Sequence, residues 1–128
     1  ELSIICGAVN EIIDITVKAF SNDDNVAAEA IEPLEETIDL LTKKSKSNHI
    51  RRVQANMCTL ELGFIFNDCL HNLERVADHC SNIAGSVIEI SAYDALDLHK
   101  YIATVKSEDE NFDQKYKEYK RMYSFDNQ

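Results

Sequence analysis

The chain has 128 residues, a formal net charge of −10, three Gly, one Pro and no Trp. That length holds one domain with a modest core, and plentiful Leu, Ile, Val and Ala with few helix breakers favour an all-α protein. The acidic excess excludes a bare nucleic-acid binder, which needs a basic face, and suits a cationic partner or metal ions.

Residues 3–20 read as a first helix. Ile4, Ala8, Ile12, Ile15 and Ala19 recur at helical spacing and form one apolar stripe, while Asn10, Glu11 and Asp14 point to solvent. Ser21-Asn22-Asp23-Asp24-Asn25 is a turn and N-cap cluster. A second helix follows, with Ala27, Ile31, Leu34, Ile38 and Leu41 inside. Pro33 lacks a backbone donor and crowds the preceding turn, so it predicts a kink or a restart. Glu32, Glu35 and Asp39 share a face beside the apolar stripe, with Glu29 and Glu36 pointing outward.

The end of this helix has two readings. An early turn at Ser45-Lys46-Ser47-Asn48 accounts for Ile50, Val53 and Met57 falling out of phase with the earlier stripe. A late turn at Asn56-Met57-Cys58-Thr59, with Thr59 as the next cap, makes the flanking helices nearly equal in length. Antiparallel neighbours then bring Asp39 level with Glu74; the early turn offsets them by ~27 Å. The late turn is the expectation.

The third helix runs from about Leu60 to Ser91. Glu74 and Asp78 lie one turn apart, with Asn67, His71, Ser81 and Gly85 close to their stripe. Leu70, Leu73, Ala77, Ala84 and Ile88 form the adjoining apolar face. Gly63 and Gly85 each cost ~1 kcal/mol in a helix interior, and close approach by a neighbouring helix explains them. Beyond this, Asp94 caps a short helix through Val105, and Ser107-Glu108-Asp109-Glu110 is a capping box for a last helix. Phe112, Tyr116, Tyr119 and Tyr123 form an aromatic seam suited to core packing or a subunit contact.

Cys58, Cys69 and Cys80 recur every eleven residues, which would line them along one face. The expected state is buried free thiols in a reducing cytoplasm. No apolar run approaches the ~20 residues of a membrane span. The chain begins without Met inside helical sequence and reads as a piece of a longer protein.

The run Leu73-Glu74-Arg75-Val76-Ala77-Asp78-His79-Cys80-Ser81-Asn82-Ile83 resembles the Leu-Glu-Arg-Ile-x-Asp-His-x-x-Asn-Ile signature of the PhoU phosphate-uptake regulator family. Glu35-Glu36-Thr37-Ile38-Asp39 is similar to that family's Glu/Asp-x-x-x-Asp motif on the preceding helix. The likeness is closest to PhoU-like domains at the cytoplasmic C-terminus of bacterial sodium/phosphate cotransporters, and it covers roughly residues 24–91.

With the periodicity, this gives an expected fold: an antiparallel three-helix PhoU-like bundle over 1–91, with a C-terminal helical segment over 92–128 packed on the bundle or a partner. The resemblance implies a regulator of phosphate uptake or phosphate signalling, cytoplasmic and tethered at the membrane's inner face through the full-length protein. The expected partners are a second copy in a homodimer and a transporter membrane domain or phosphate-signalling protein. It also implies metal ions at the motif positions Glu35, Asp39, Glu74 and Asp78, with Glu32 and His71 as further candidates.

Four carboxylates converging between two helices repel unless cations or protons intervene. Oxygen ligands with an occasional imidazole suit Fe, Mn, Zn, Ni or Mg. The competing reading pairs Glu74 and Asp78 with Arg51, Arg52, Arg75 or lysines as ordinary ion pairs, leaving a metal-free helical adaptor or oligomerisation module. A ferritin-like di-iron bundle needs Glu-x-x-His, and His71-x-x-Glu74 is the reverse order. No defensible nucleophile constellation and no Gly-rich phosphate loop occur, so an enzyme is not expected.

Overall fold

The computed structural model describes residues 1–92 and 110–125. The described residues form α1 (Leu2–Asn22), α2 (Asn25–Glu29), α3 (Ile31–Gln54), α4 (Leu60–Ala92) and α5 (Glu110–Met122). The expected all-α bundle is the observed one. The expected helix over 94–105 and the first three residues of the capping box lie outside the described residues.

Local sequence sets each boundary. The buried face of α1 is Ile5, Ala8, Val9, Ile12, Thr16 and Ala19. Ile4 and Ile15, expected inside, sit half-buried at its margin, so the true stripe is centred slightly to one side of the expected one. Asp23 adopts a left-handed conformation (φ 48°) and ends the helix. The Asp24 side chain accepts the Ala27 N–H at 3.0 Å and starts α2.

Pro33 produces a restart. It stands in the first turn of α3, where a backbone N–H has no intrahelical acceptor, so its missing donor costs nothing there. The turn after α3 is the late one. Asn56 takes φ 55°, its N–H reaches Val53 O at 3.0 Å, and the Met57 N–H reaches Arg52 O at 2.8 Å. This is the paired hydrogen-bond pattern of a Schellman cap. Thr59 Oγ1 then accepts the Leu62 N–H at 3.3 Å and caps α4. The phase slip after residue 48 has a simple cause: Ile50 and Met57 are exposed at the hairpin tip and never enter the core.

α3 runs antiparallel to both α1 and α4. At one end Glu1 accepts hydrogen bonds from Ser45 (3.1 Å), Asn48 (2.8 Å) and Arg52 (3.1 Å). Burial pushes the Glu1 carboxyl up, but these donors and the Arg52 charge outweigh it, and its pKa is lowered. Between α3 and α4, the His49 ring packs tilted against Phe66 (ring centroids 5.3 Å apart). A Cβ on Gly63 would stand 2.6 Å from His49 Nε2, so this glycine does mark a close approach. Gly85 is buried.

The three long helices leave three grooves. The first, between α1 and α3, takes α5. Phe112 and Tyr119 are buried, and Tyr119 joins the main core. The Tyr123 hydroxyl donates to Glu11, and Lys44 lies over the Phe125 ring at 5.4 Å. Glu11 was expected in solvent; instead it lies under this tail. Its pKa is raised by burial and by the Glu118 charge, against an opposing effect of Lys115. The aromatic seam therefore docks on its own bundle. Of the other two grooves, α3/α4 carries the motif carboxylates along its middle and an apolar hollow at its hairpin end, lined by Ile50, Val53, Leu60 and Phe64, and α1/α4 has a hollow where Phe20 meets Ile83 and Ile90 beside Asp23 and Asn82.

The cysteine expectation fails in part. All four thiols are free, but only Cys80 is buried; Cys69 is exposed and Cys6 and Cys58 are intermediate. Cys58 precedes α4, and Cys69 lies in that helix's first third, where most side chains are exposed.

Candidate functional site

The α3/α4 groove carries the motif carboxylates. Its register is fixed by two ties. Ser81 Oγ donates to Glu32 Oε2 at 2.5 Å. Four turns away along α3, Lys46 Nζ donates to Glu74 Oε2 at 2.9 Å, and Thr42 Oγ1 lies 3.4 Å from Glu74 Oε1. Between these ties, Glu35 and Asp39 on α3 come level with the turn of α4 that carries Glu74 and Asp78. The late turn creates this alignment.

The side chains are less convergent than the backbone. Asp39 Oδ2 accepts from Lys43 Nζ at 3.0 Å, four residues on. That hydrogen bond and charge hold the Lys43 ammonium above its ordinary range. Glu74 is held by Lys46. Glu35 is half-buried and Asp78 exposed. Among the described residues, no group of three or more His, Cys, Asp or Glu side chains is arranged to hold a metal ion.

Of the further candidates, Glu32 is a core carboxylate, 5% exposed, with Ser81 as a donor. A polar group at that depth is costly to bury without such a partner. His71 is exposed and lines a shallow hollow with Lys46, Phe64, Asn67 and Asp68.

The donor chemistry suits a hard or borderline cation, since every motif ligand is a carboxylate. The present arrangement gives two of those carboxylates to ammonium groups. Sequence reasoning named lysines only as a class. The signal for these two was present: Lys43 and Lys46 follow Asp39 by four and seven residues, which places all three on one helical face. None of Arg51, Arg52 and Arg75 takes Glu74; Arg52 binds Glu1 instead.

A sequence model of the PhoU domain family matches residues 2–87. The chain is also similar to the phosphate-specific transport system accessory protein PhoU homolog 1 of Thermotoga maritima. The two are 26% identical over 113 residues, which is 88% of this chain and 48% of that relative. The chain thus spans about half the length of the curated relative it matches. No solved structure matches.

Proposed function

The chain belongs to the PhoU domain family, and on that premise we propose that it regulates phosphate uptake as the cytoplasmic part of a sodium/phosphate cotransporter. It acts there on the transporter's membrane domain or on a phosphate-signalling protein, and not as an enzyme. Among the described residues no helix is long and apolar enough to cross a membrane; in this reading other parts of the protein supply the tether. The working unit is a homodimer.

The observation that carries the reading is the alignment of the two Glu-x-x-x-Asp motifs across the α3/α4 groove. We take Glu35, Asp39, Glu74 and Asp78 to bind a divalent or trivalent ion, drawn from Fe, Mn, Zn, Ni and Mg, once Lys43 and Lys46 swing into solvent. Both lysines sit at the groove's rim and can leave it. A bound cation would offset carboxylate repulsion and stabilise the bundle through linkage.

The functional test is phosphate uptake in cells carrying the full gene, with this domain intact, deleted or changed at Glu74 and Asp78. Deletion should alter how uptake responds to external phosphate. Identical uptake curves with and without the domain would rule the regulatory role out. The Lys43–Asp39 and Lys46–Glu74 pairs favour a second reading, a metal-free adaptor whose built-in ammonium groups do the neutralising. Metal titration separates the two.

A further inference from the structure

Six large apolar side chains between residues 50 and 65 are more than half exposed: Ile50, Met57, Leu60, Leu62, Phe64 and Ile65. They surround the α3–α4 turn, at one end of the bundle. At about 100° per residue, Leu60, Leu62, Phe64 and Ile65 point in directions spread over about 200° of α4. A hollow of about 230 Å³, with Ile50, Val53, Leu60 and Phe64 on its walls beside His49, Gln54 and Asn67, carries the apolar surface in between the two helices. Between Asp39 and Asp68 the sequence has five basic residues (Lys43, Lys44, Lys46, Arg51 and Arg52) and one acid, Glu61, in a chain of net charge −10.

We propose that this hairpin tip is a membrane-contact surface that dips end-on into an anionic lipid leaflet. Shape selects lipid over a partner helix. A helix laid alongside covers one stripe about 100° wide, whereas the start of α4 is apolar over about twice that arc. Lipid closes around an inserted tip on all sides. Depth fits as well: Leu60 to Ile65 rise ~8 Å along α4 at 1.5 Å per residue, within the ~5–10 Å to which interfacial segments sink.

An anionic surface repels the chain as a whole, so the placement of its acids decides. The surface potential falls off over a Debye length of ~8 Å at physiological salt. Asp39 stands ~22 Å back from the end of α3, and Asp68 and Glu74 stand ~12 Å and ~21 Å back from the start of α4. All three are beyond that range. Nearer the tip, Glu1 is paired with Arg52. Glu61 stands in the first turn of α4, where the helix dipole stabilises an acid, and it remains at headgroup level. Lys43 and Lys46 pair inward with Asp39 and Glu74. Arg51 is exposed and has no carboxylate partner among the described residues, which leaves its guanidinium for a lipid phosphate.

The test is flotation with vesicles of phosphatidylglycerol and phosphatidylethanolamine, or of phosphatidylcholine alone, on the wild type, Met57→Ser, Phe64→Ser and Val17→Ser. Circular dichroism checks that helicity is kept. The wild type should float with the anionic vesicles and at least threefold less with phosphatidylcholine. Met57→Ser and Phe64→Ser should each lower partition at least threefold. Val17→Ser, also more than half exposed but near the far end of α1, should not. The chain has no Trp, so Phe64→Trp supplies a single reporter, whose emission should shift to the blue on adding anionic vesicles and be quenched by brominated lipid. A wild type that floats with neither vesicle, or equally with both, overturns the proposal. So does a loss in Val17→Ser as large as in Phe64→Ser. A blue shift in Phe64→Trp that follows protein concentration without vesicles marks a second copy on the tip and overturns it too. None of these results bears on phosphate regulation, which the inference does not require.

Discussion

Lys46 Nζ lies 2.9 Å from Glu74 Oε2, joining α3 to α4 at the level of the second motif. The pair is partly exposed, so its own contribution to stability is about 1 kcal/mol or less. Its larger consequence is for any incoming cation, which must displace an ammonium group already in contact with the carboxylate.

Removing that competitor should therefore help metal binding. In calorimetric titration with Mn²⁺ or Zn²⁺, Lys46→Met should bind at least tenfold more tightly than wild type. Glu74→Gln and Asp78→Asn should weaken binding sharply, and Glu36→Gln should change it little. No binding tighter than millimolar in both wild type and Lys46→Met would remove the metal site. So would equal losses in Glu36→Gln and Asp78→Asn.

Ser81 donates a hydrogen bond to a core carboxylate. Ser81→Ala deletes a donor to Glu32 at 5% exposure, and loss of a buried partner costs ~1–3 kcal/mol. The melting temperature should drop by several degrees with the helical spectrum unchanged. A melt equal to wild type would mean that the 2.5 Å contact contributes nothing.

The Glu1 cluster predicts an acid limb. Its folded-state pKa is lowered, so the stability it adds is present above the unfolded carboxyl value. It is lost as pH falls through the folded one. Glu1→Gln should cost about 1 kcal/mol at neutral pH, in line with a charge-assisted hydrogen bond. The two melting curves should converge as the pH is taken below the folded value. Parallel curves from neutral to acid pH would contradict the shift.

Glu11 has the opposite sign. Burial and Glu118 raise its pKa, so the folded state holds its proton more tightly than the unfolded state does. Stability falls as pH rises from the unfolded value to the folded one. Glu11→Gln keeps an acceptor for Tyr123 and removes the charge. It should leave α5 at least as well docked at neutral pH as wild type, by a few tenths of a kcal/mol, and flatten that pH dependence. Amide exchange along α5 reads this directly; faster exchange in the variant would show that the charge is needed.

The sequence alone determined what repeats within a helix. A break in the helix at Pro33, the cap at Thr59 and the one-turn spacing of Glu35–Asp39 and Glu74–Asp78 follow from 3.6 residues per turn and a few local hydrogen bonds, whereas the sequence left open whether Pro33 kinks or restarts the helix and set the α1 stripe slightly off its true centre. The α3–α4 register was legible too, because antiparallel helices joined by a short turn pair residues about equally far from that turn. Only the tertiary structure decided which cation Glu74 meets, since a lysine's reach covers several carboxylates and choosing among them depends on how each helix is rotated about its axis. The same holds for Tyr123 and Glu11, 112 residues apart in the chain.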